Sequence, residues 1–234
     1  MSRRGVLLLL ACTAGCVDAL SFLGLGGVFT ANMTGHAVLF GIALAQGNTA
    51  AVMRFVAAFL GFSTGVAIGG VVIDQGRKDV VWAPVLVYTL ILEWIILVIF
   101  AAGWLLTGQT EVTEYTSVLI VLAALAMGIQ SAFTIRLIRE VKDISTTYLT
   151  SMLCNAILTL VWWRTAERQT GSTPGAASVS DRRSANKLRG ALWLVYLIGA
   201  FVAAAGNALW HPLPLMLPVI CIAGAIVITG RHLR

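Results

Sequence analysis

The sequence predicts an all-α polytopic membrane protein with about six transmembrane helices. They are arranged as two inverted three-helix repeats, each with a broken or re-entrant segment. Three observations lead there: the composition, the spacing of long apolar runs, and the placement of basic residues. Of 234 residues, 59% are hydrophobic and only 11% are charged, and the mean hydropathy is +0.90. A soluble domain needs far more polar surface to cover its core. Hydrocarbon offers no water to an open backbone, so such runs must be helical, and the alternating short-strand signature of a membrane barrel is absent.

The spans are expected at Val6–Leu23, Val52–Ile73, Pro84–Leu106, Ser117–Leu137, Ala191–Ala208 and Leu213–Ile228. Each is close to the roughly 20 residues that a helix needs to cross a bilayer. Arg3 and Arg4 before Val6–Ala11 resemble a signal peptide. The apolar pattern continues past Cys16, however, so the stretch reads as an uncleaved first helix. Two further apolar stretches, 28–45 and 144–163, open with small and hydroxyl-bearing residues, and whether they cross decides the topology. If both fold back to the side they entered from, Arg3, Arg4, Arg77, Lys78, Arg136, Arg139, Lys142, the loop with Arg164, Arg168, Arg182, Arg183, Lys187 and Arg189, and Arg231 and Arg234 all lie inside. Of 16 Lys and Arg residues, only Arg54 then falls outside. The positive-inside rule favours that arrangement, with both termini cytoplasmic. The net charge of +6 therefore reports topology, and no nucleic-acid partner is expected.

The chain reads as a single membrane domain over 1–234, with repeats at 1–110 and 111–234 and a basic cytoplasmic loop at 164–189. Within that loop, Gln169–Ser184 is rich in Gly, Ser, Thr and Pro and reads as a flexible linker. The repeat rests on two matching patterns. Gly15-Cys16-Val17-Asp18-Ala19 precedes Thr30-x-x-x-Thr34-Gly35, and Gly128-Ile129-Gln130-Ser131-Ala132 precedes Thr146-x-x-x-Thr150-Ser151. Three crossings per half force the second half to enter from the opposite side, an architecture used by transporters.

The run Gly27-Val28-Phe29-Thr30-Ala31-Asn32-Met33-Thr34-Gly35, with Gly15-x-x-Asp18-Ala19, Met127-Gly128-Ile129-Gln130-Ser131-Ala132 and Thr146-x-x-x-Thr150, resembles the YoaK-like family over nearly the whole chain. The resemblance implies a bacterial inner (plasma) membrane protein of about six helices. It implies no established activity. The chain departs from the family pattern at Thr150-Ser151 and at His36.

Asp18 is the sharpest chemical feature, because a carboxylate deep in a span costs a few kcal/mol on insertion scales and marks ion or proton pathways. Asn32 and His36 share a helix face at i, i+4, and Thr30 or Asn32 is placed to cap the half-helix. A half-helix beginning near the midplane directs unpaired N–H groups inward, toward an anion or polar solute. Asp18, Thr30, Asn32, Thr34, His36, Gln130, Thr146 and Thr150 are thus the candidate solute-binding residues, and Asp18 and Glu93 are the candidates for proton coupling.

Gly61, Gly65 and Gly69 form a flat strip for close helix packing. The expected partner is internal, the helix with Gly199, Ala203 and Gly206, and homo-oligomerisation is the alternative. Trp82, Trp94, Trp104, Trp162, Trp163 and Trp210 read as interfacial anchors. Cys12, Cys16, Cys154 and Cys221 fit no zinc pattern and read as small hydrophobes. No cofactor or metal is expected. No zinc-protease or nucleophile-elbow signature occurs, so an enzyme is not expected. The leading expectation is a small transporter or channel for a polar or anionic solute, and the alternative is a membrane scaffold or regulator acting through the basic loop.

Overall fold

The computed structural model describes residues 3–74, 84–107, 115–139, 176–209 and 213–231, and all regular structure among them is helical. The helices are α1 (Arg3–Gly24), α2 (Met33–Ala45), α3 (Thr49–Asp74), α4 (Pro84–Thr107), α5 (Thr116–Arg139), α6 (Ala176–Leu209) and α7 (Leu213–Arg231). Six of them, all but α2, are long and apolar enough to cross a membrane. With 13 residues, α2 is about 20 Å long at 1.5 Å per residue, short of the ~30 Å hydrocarbon core.

The expected spans fall where the six long helices form, with one correction. Helix α6 begins at Ala176, directly after Pro174-Gly175, so the second half of the expected linker is helical. Its polar composition hid it from a search for apolar periodicity, although Ala176, Ala177 and Ala185 favour helix. The apolar crossing stretch within α6 is Lys187–Leu209. The expected hydroxyl-rich stretch 144–163 lies outside the described residues.

The burial pattern is that of a bundle whose solvent is lipid. Phe59, Leu60, Val71, Leu197, Ile198 and Phe201 face outward, while Asp18, Thr89, Glu93, Gln130 and Thr229 are buried. Thr13, Thr89 and Thr229 return their hydroxyls to the carbonyls of Leu9, Val85 and Ala225 one turn back. These hydroxyls are therefore satisfied inside their own helices.

Two helix pairs cross at backbone contact. A Cβ built on Gly128 of α5 would collide with the Phe62 carbonyl of α3, and one on Gly65 with the Leu125 carbonyl. Gly61 and Gly69 meet Val121, Ala124, Ile129 and Ala132 in the same way. The glycine strip is thus used internally, but against α5 and not against the helix carrying Gly199. That glycine belongs to the second crossing. A Cβ on Gly199 would strike the Cys12 carbonyl of α1, and one on Gly15 the Tyr196 carbonyl of α6. Without hydrophobic attraction between helices in lipid, such close backbone approach supplies the packing energy.

Two tryptophans depart from the expected interfacial role. Trp104 is 3% exposed, edge-on to Phe100 and laid over the bare Cα of Gly24. Trp94 donates its indole N–H to the Val219 carbonyl at 3.1 Å, joining α4 to α7. A bare glycine Cα under one ring and a carbonyl of α7 within reach of the other draw both into helix contacts.

Candidate functional site

The chain leaves α1 through a glycine-built reversal. Gly26 and Gly27 both have φ of 78°, and the Gly27 N–H bonds the Phe22 carbonyl at 3.1 Å, the 6→1 bond of a Schellman cap. Phe29 then stacks on Phe22 with ring centroids 4.9 Å apart, laying the strand back along α1. Asp18 stands six residues before the end of α1, about 9 Å down the helix at 1.5 Å per residue. The returning strand meets it there.

The Asp18 carboxylate is 2% exposed and accepts four hydrogen bonds. Oδ1 takes the backbone N–H groups of Thr30 at 2.8 Å and Ala31 at 2.7 Å. Oδ2 takes the Asn32 N–H at 3.0 Å and the Tyr196 hydroxyl of α6 at 2.7 Å. Three consecutive N–H groups converging on one anion form a backbone nest. Each such charge-assisted bond contributes roughly 1.5–3 kcal/mol, so the cluster fixes the strand to both α1 and α6.

Asn32 then caps α2, its Oδ1 accepting from the Gly35 N–H at 3.2 Å. The Thr30 hydroxyl is fully buried and faces that of Ser21 at 3.4 Å. Thr34 is exposed on the outer face of α2. His36 contacts the Phe55 carbonyl of α3 through Nε2 at 2.7 Å, with its ring edge-on to Phe55. That geometry makes Nε2 the donor and leaves buried Nδ1 without a partner. Gly47, at φ 65°, closes the α2–α3 turn, and Asn48 caps α3 through Ala51 N–H.

The predicted residues therefore sort into three groups. Asp18, Thr30 and Asn32 meet in one network, with His36 one turn along α2. Gln130 lies on α5, where its amide nitrogen donates to the Leu10 carbonyl of α1 at 3.0 Å and its Oε1 is left without a partner. Glu93 lies on α4, fully buried, with neither carboxylate oxygen hydrogen-bonded. Thr146 and Thr150 lie outside the described residues.

Tyr196 was not among the predicted residues. An aromatic in an apolar span carries no local signal, and only the crossing of α1 with α6 brings it to Asp18. Cys16, read from the sequence as a small hydrophobe, donates its thiol to the Gly199 carbonyl of α6 at 3.2 Å. Among the described residues, no group of three or more His, Cys, Asp or Glu side chains is placed to hold a metal ion.

The comparisons with known proteins agree with this membrane architecture. The UPF0700 transmembrane protein YoaK of Bacillus subtilis (strain 168) is 30% identical over 229 residues, covering 98% of this chain and 94% of that protein. No solved structure matches the chain. A family model described as a protein of unknown function (DUF1275) matches residues 6–229. With six helices of spanning length and a match over nearly its whole length, the chain belongs to the DUF1275 family of membrane proteins whose function is unknown.

Proposed function

We propose that the chain is a small, non-enzymatic transporter of a polar or anionic solute. In this reading two inverted three-helix halves enclose a site near the bilayer midplane, in a bacterial inner membrane with both termini cytoplasmic. One half comprises α1–α4, with α2 as its re-entrant piece, and the other comprises α5–α7 with the connecting segment.

The observation that carries this reading is that the two close crossings are equivalent. One common shift in residue number carries Phe62 to Tyr196, Val66 to Ala200 and Gly65 to Gly199. Another carries Cys12 to Leu125 and Gly15 to Gly128. The contacts correspond under those shifts: Gly128 meets Phe62 and Val66 as Gly15 meets Tyr196 and Ala200, and Gly65 meets Leu125 as Gly199 meets Cys12. Burial follows the same exchange. The spans of α1 and α5 are 56% and 61% buried, those of α3 and α6 22% and 17%, and those of α4 and α7 39% each. Paired values of this kind are what a two-fold axis between halves requires. With three crossings per half, that axis lies in the membrane plane.

The exchange is broken at Asp18 and Tyr196. They correspond to Ser131 and Phe62, which cannot form the same latch. Asp18 already fills the nest at the start of α2. A solute reaching this hairpin would therefore be read by Asn32, His36 and the neighbouring hydroxyls, with Asp18 setting their position.

The test begins with a thermal-shift screen of the purified chain against polar and anionic solutes, since a ligand that prefers the native state raises its melting temperature. A binder is then followed across reconstituted vesicles. The reading predicts saturable flux that is reduced at least tenfold by His36→Ala. A solute that binds but never crosses would contradict it.

A further inference from the structure

We infer that Glu93 is the proton-binding site of this carrier, so that the ion coupled to solute movement is H+. The inference rests on the transporter reading above and adds the driving ion to it. Glu93 is the tenth of the 24 residues of α4 and lies at the centre of its buried stripe, with Leu86, Leu90, Leu97 and Phe100. Helix α4 packs against α5, α7 and, more lightly, α3, so in the two-half reading the stripe runs along the interface between the halves.

Geometry separates Glu93 from Asp18, the other carboxylate buried in the described spans. Both of its oxygens are sealed from the surface and neither has a donor within reach. A bare carboxylate in such a place has nothing to offset its lost hydration. A sodium or other metal ion would need several further oxygen ligands around it, and among the described residues no group of three or more His, Cys, Asp or Glu side chains is placed to supply such a shell. A proton needs none. Its uptake forms one O–H bond on the carboxylate and breaks no other bond in the protein.

The charged and titratable groups on the elements around Glu93 leave its charge uncompensated. They are Arg54 and Asp74 on α3, Tyr88 on α4 itself, Arg136 and Arg139 on α5, and Cys221 and Arg231 on α7. All but Cys221 lie within two turns of a helix end, away from the middle of α4. None hydrogen-bonds or ion-pairs with Glu93. Asp18, the other coupling candidate, is already engaged by four donors, so a proton arriving there would have to displace a hydrogen bond.

Dicyclohexylcarbodiimide tests the inference on the full chain in vesicles. The acid's O–H proton passes to a carbodiimide nitrogen while its oxygen adds to the central carbon, and rearrangement then gives a stable N-acylurea with no leaving group. Peptide mass spectrometry should find the adduct on Glu93, none on Asp18, and a fall to background in Glu93→Gln. Infrared spectra should show a carboxylic acid C=O band that the same variant loses, which guards against poor reagent access. With the two compartments buffered separately, the labelling rate should follow the pH of one side, falling about tenfold per pH unit once the ionised form dominates. Absence of both adduct and band would overturn the inference, as would a rate indifferent to pH on either side. None of these readings uses a solute. Failure here leaves the two-half carrier standing with a different coupling ion, whereas a solute that binds without crossing defeats the carrier while the Glu93 readings stand.

Discussion

Among the described residues two carboxylates lie buried in the spans, and their surroundings are opposite. Around Asp18, inside the last two turns of α1, the chain spends a double-glycine reversal, three backbone N–H groups and a tyrosine from another helix. Around Glu93, in the middle of α4, it supplies no donor at all. The difference teaches that depth in a membrane does not by itself assign a role. A carboxylate with a full set of donors positions its neighbours, and one with none can be altered without breaking a hydrogen bond.

Substitutions sharpen that contrast, and the largest effect belongs to Asp18. Asp18→Ala strands three backbone N–H groups and the Tyr196 hydroxyl in an apolar interior, at a cost of about 3–5 kcal/mol. Denaturant or thermal unfolding in detergent should show it, together with faster hydrogen exchange at the amides of residues 30–32. Next come the crossings. Gly15→Leu and Gly128→Leu each force two backbones apart, and overpacking of this kind costs about 1–3 kcal/mol. Equivalent halves predict similar losses for the two variants, and a loss confined to one would weaken the equivalence.

Tyr196→Phe removes one of the four bonds to Asp18 and should cost about 1.5–3 kcal/mol, read by the same unfolding transition. Glu93→Gln comes last and should have the smallest effect on stability, since no hydrogen-bond partner is lost. Glu93→Leu should leave stability unchanged or raise it, because it removes a buried polar group without a partner. A destabilised Glu93→Leu would erase the distinction between the two carboxylates.

Much of this architecture was legible before any coordinates. Runs of apolar residues near spanning length can only be helices in lipid, so the six spans emerged with ends within a few residues except in α6. There, alanines scattered among polar residues extend the helix without leaving an apolar stripe. Asp18 stood out because a charge in an apolar run is costly wherever it points. Its partners did not, because the N–H groups of Thr30, Ala31 and Asn32 belong to every peptide and Tyr196 is distant in sequence. The glycine strip at Gly61, Gly65 and Gly69 announced close packing. Its partner stayed hidden because α5 presents carbonyls and alanines, with Gly128 as its one small notch. Glu93 showed the reverse problem: the sequence marked the group, but only the structure reveals that nothing answers it.

The proposed inverted relation of the two halves is tested most directly at the starts of α1 and α5. Cysteines placed at Gly5, where a side chain meets nothing within 4 Å, and at exposed Tyr115 are labelled with a membrane-impermeant maleimide. The background is a variant with the four native cysteines replaced. In intact cells the inverted arrangement predicts labelling at position 115 and, until the membrane is opened, protection at position 5. Labelling of both positions from the same side would contradict it.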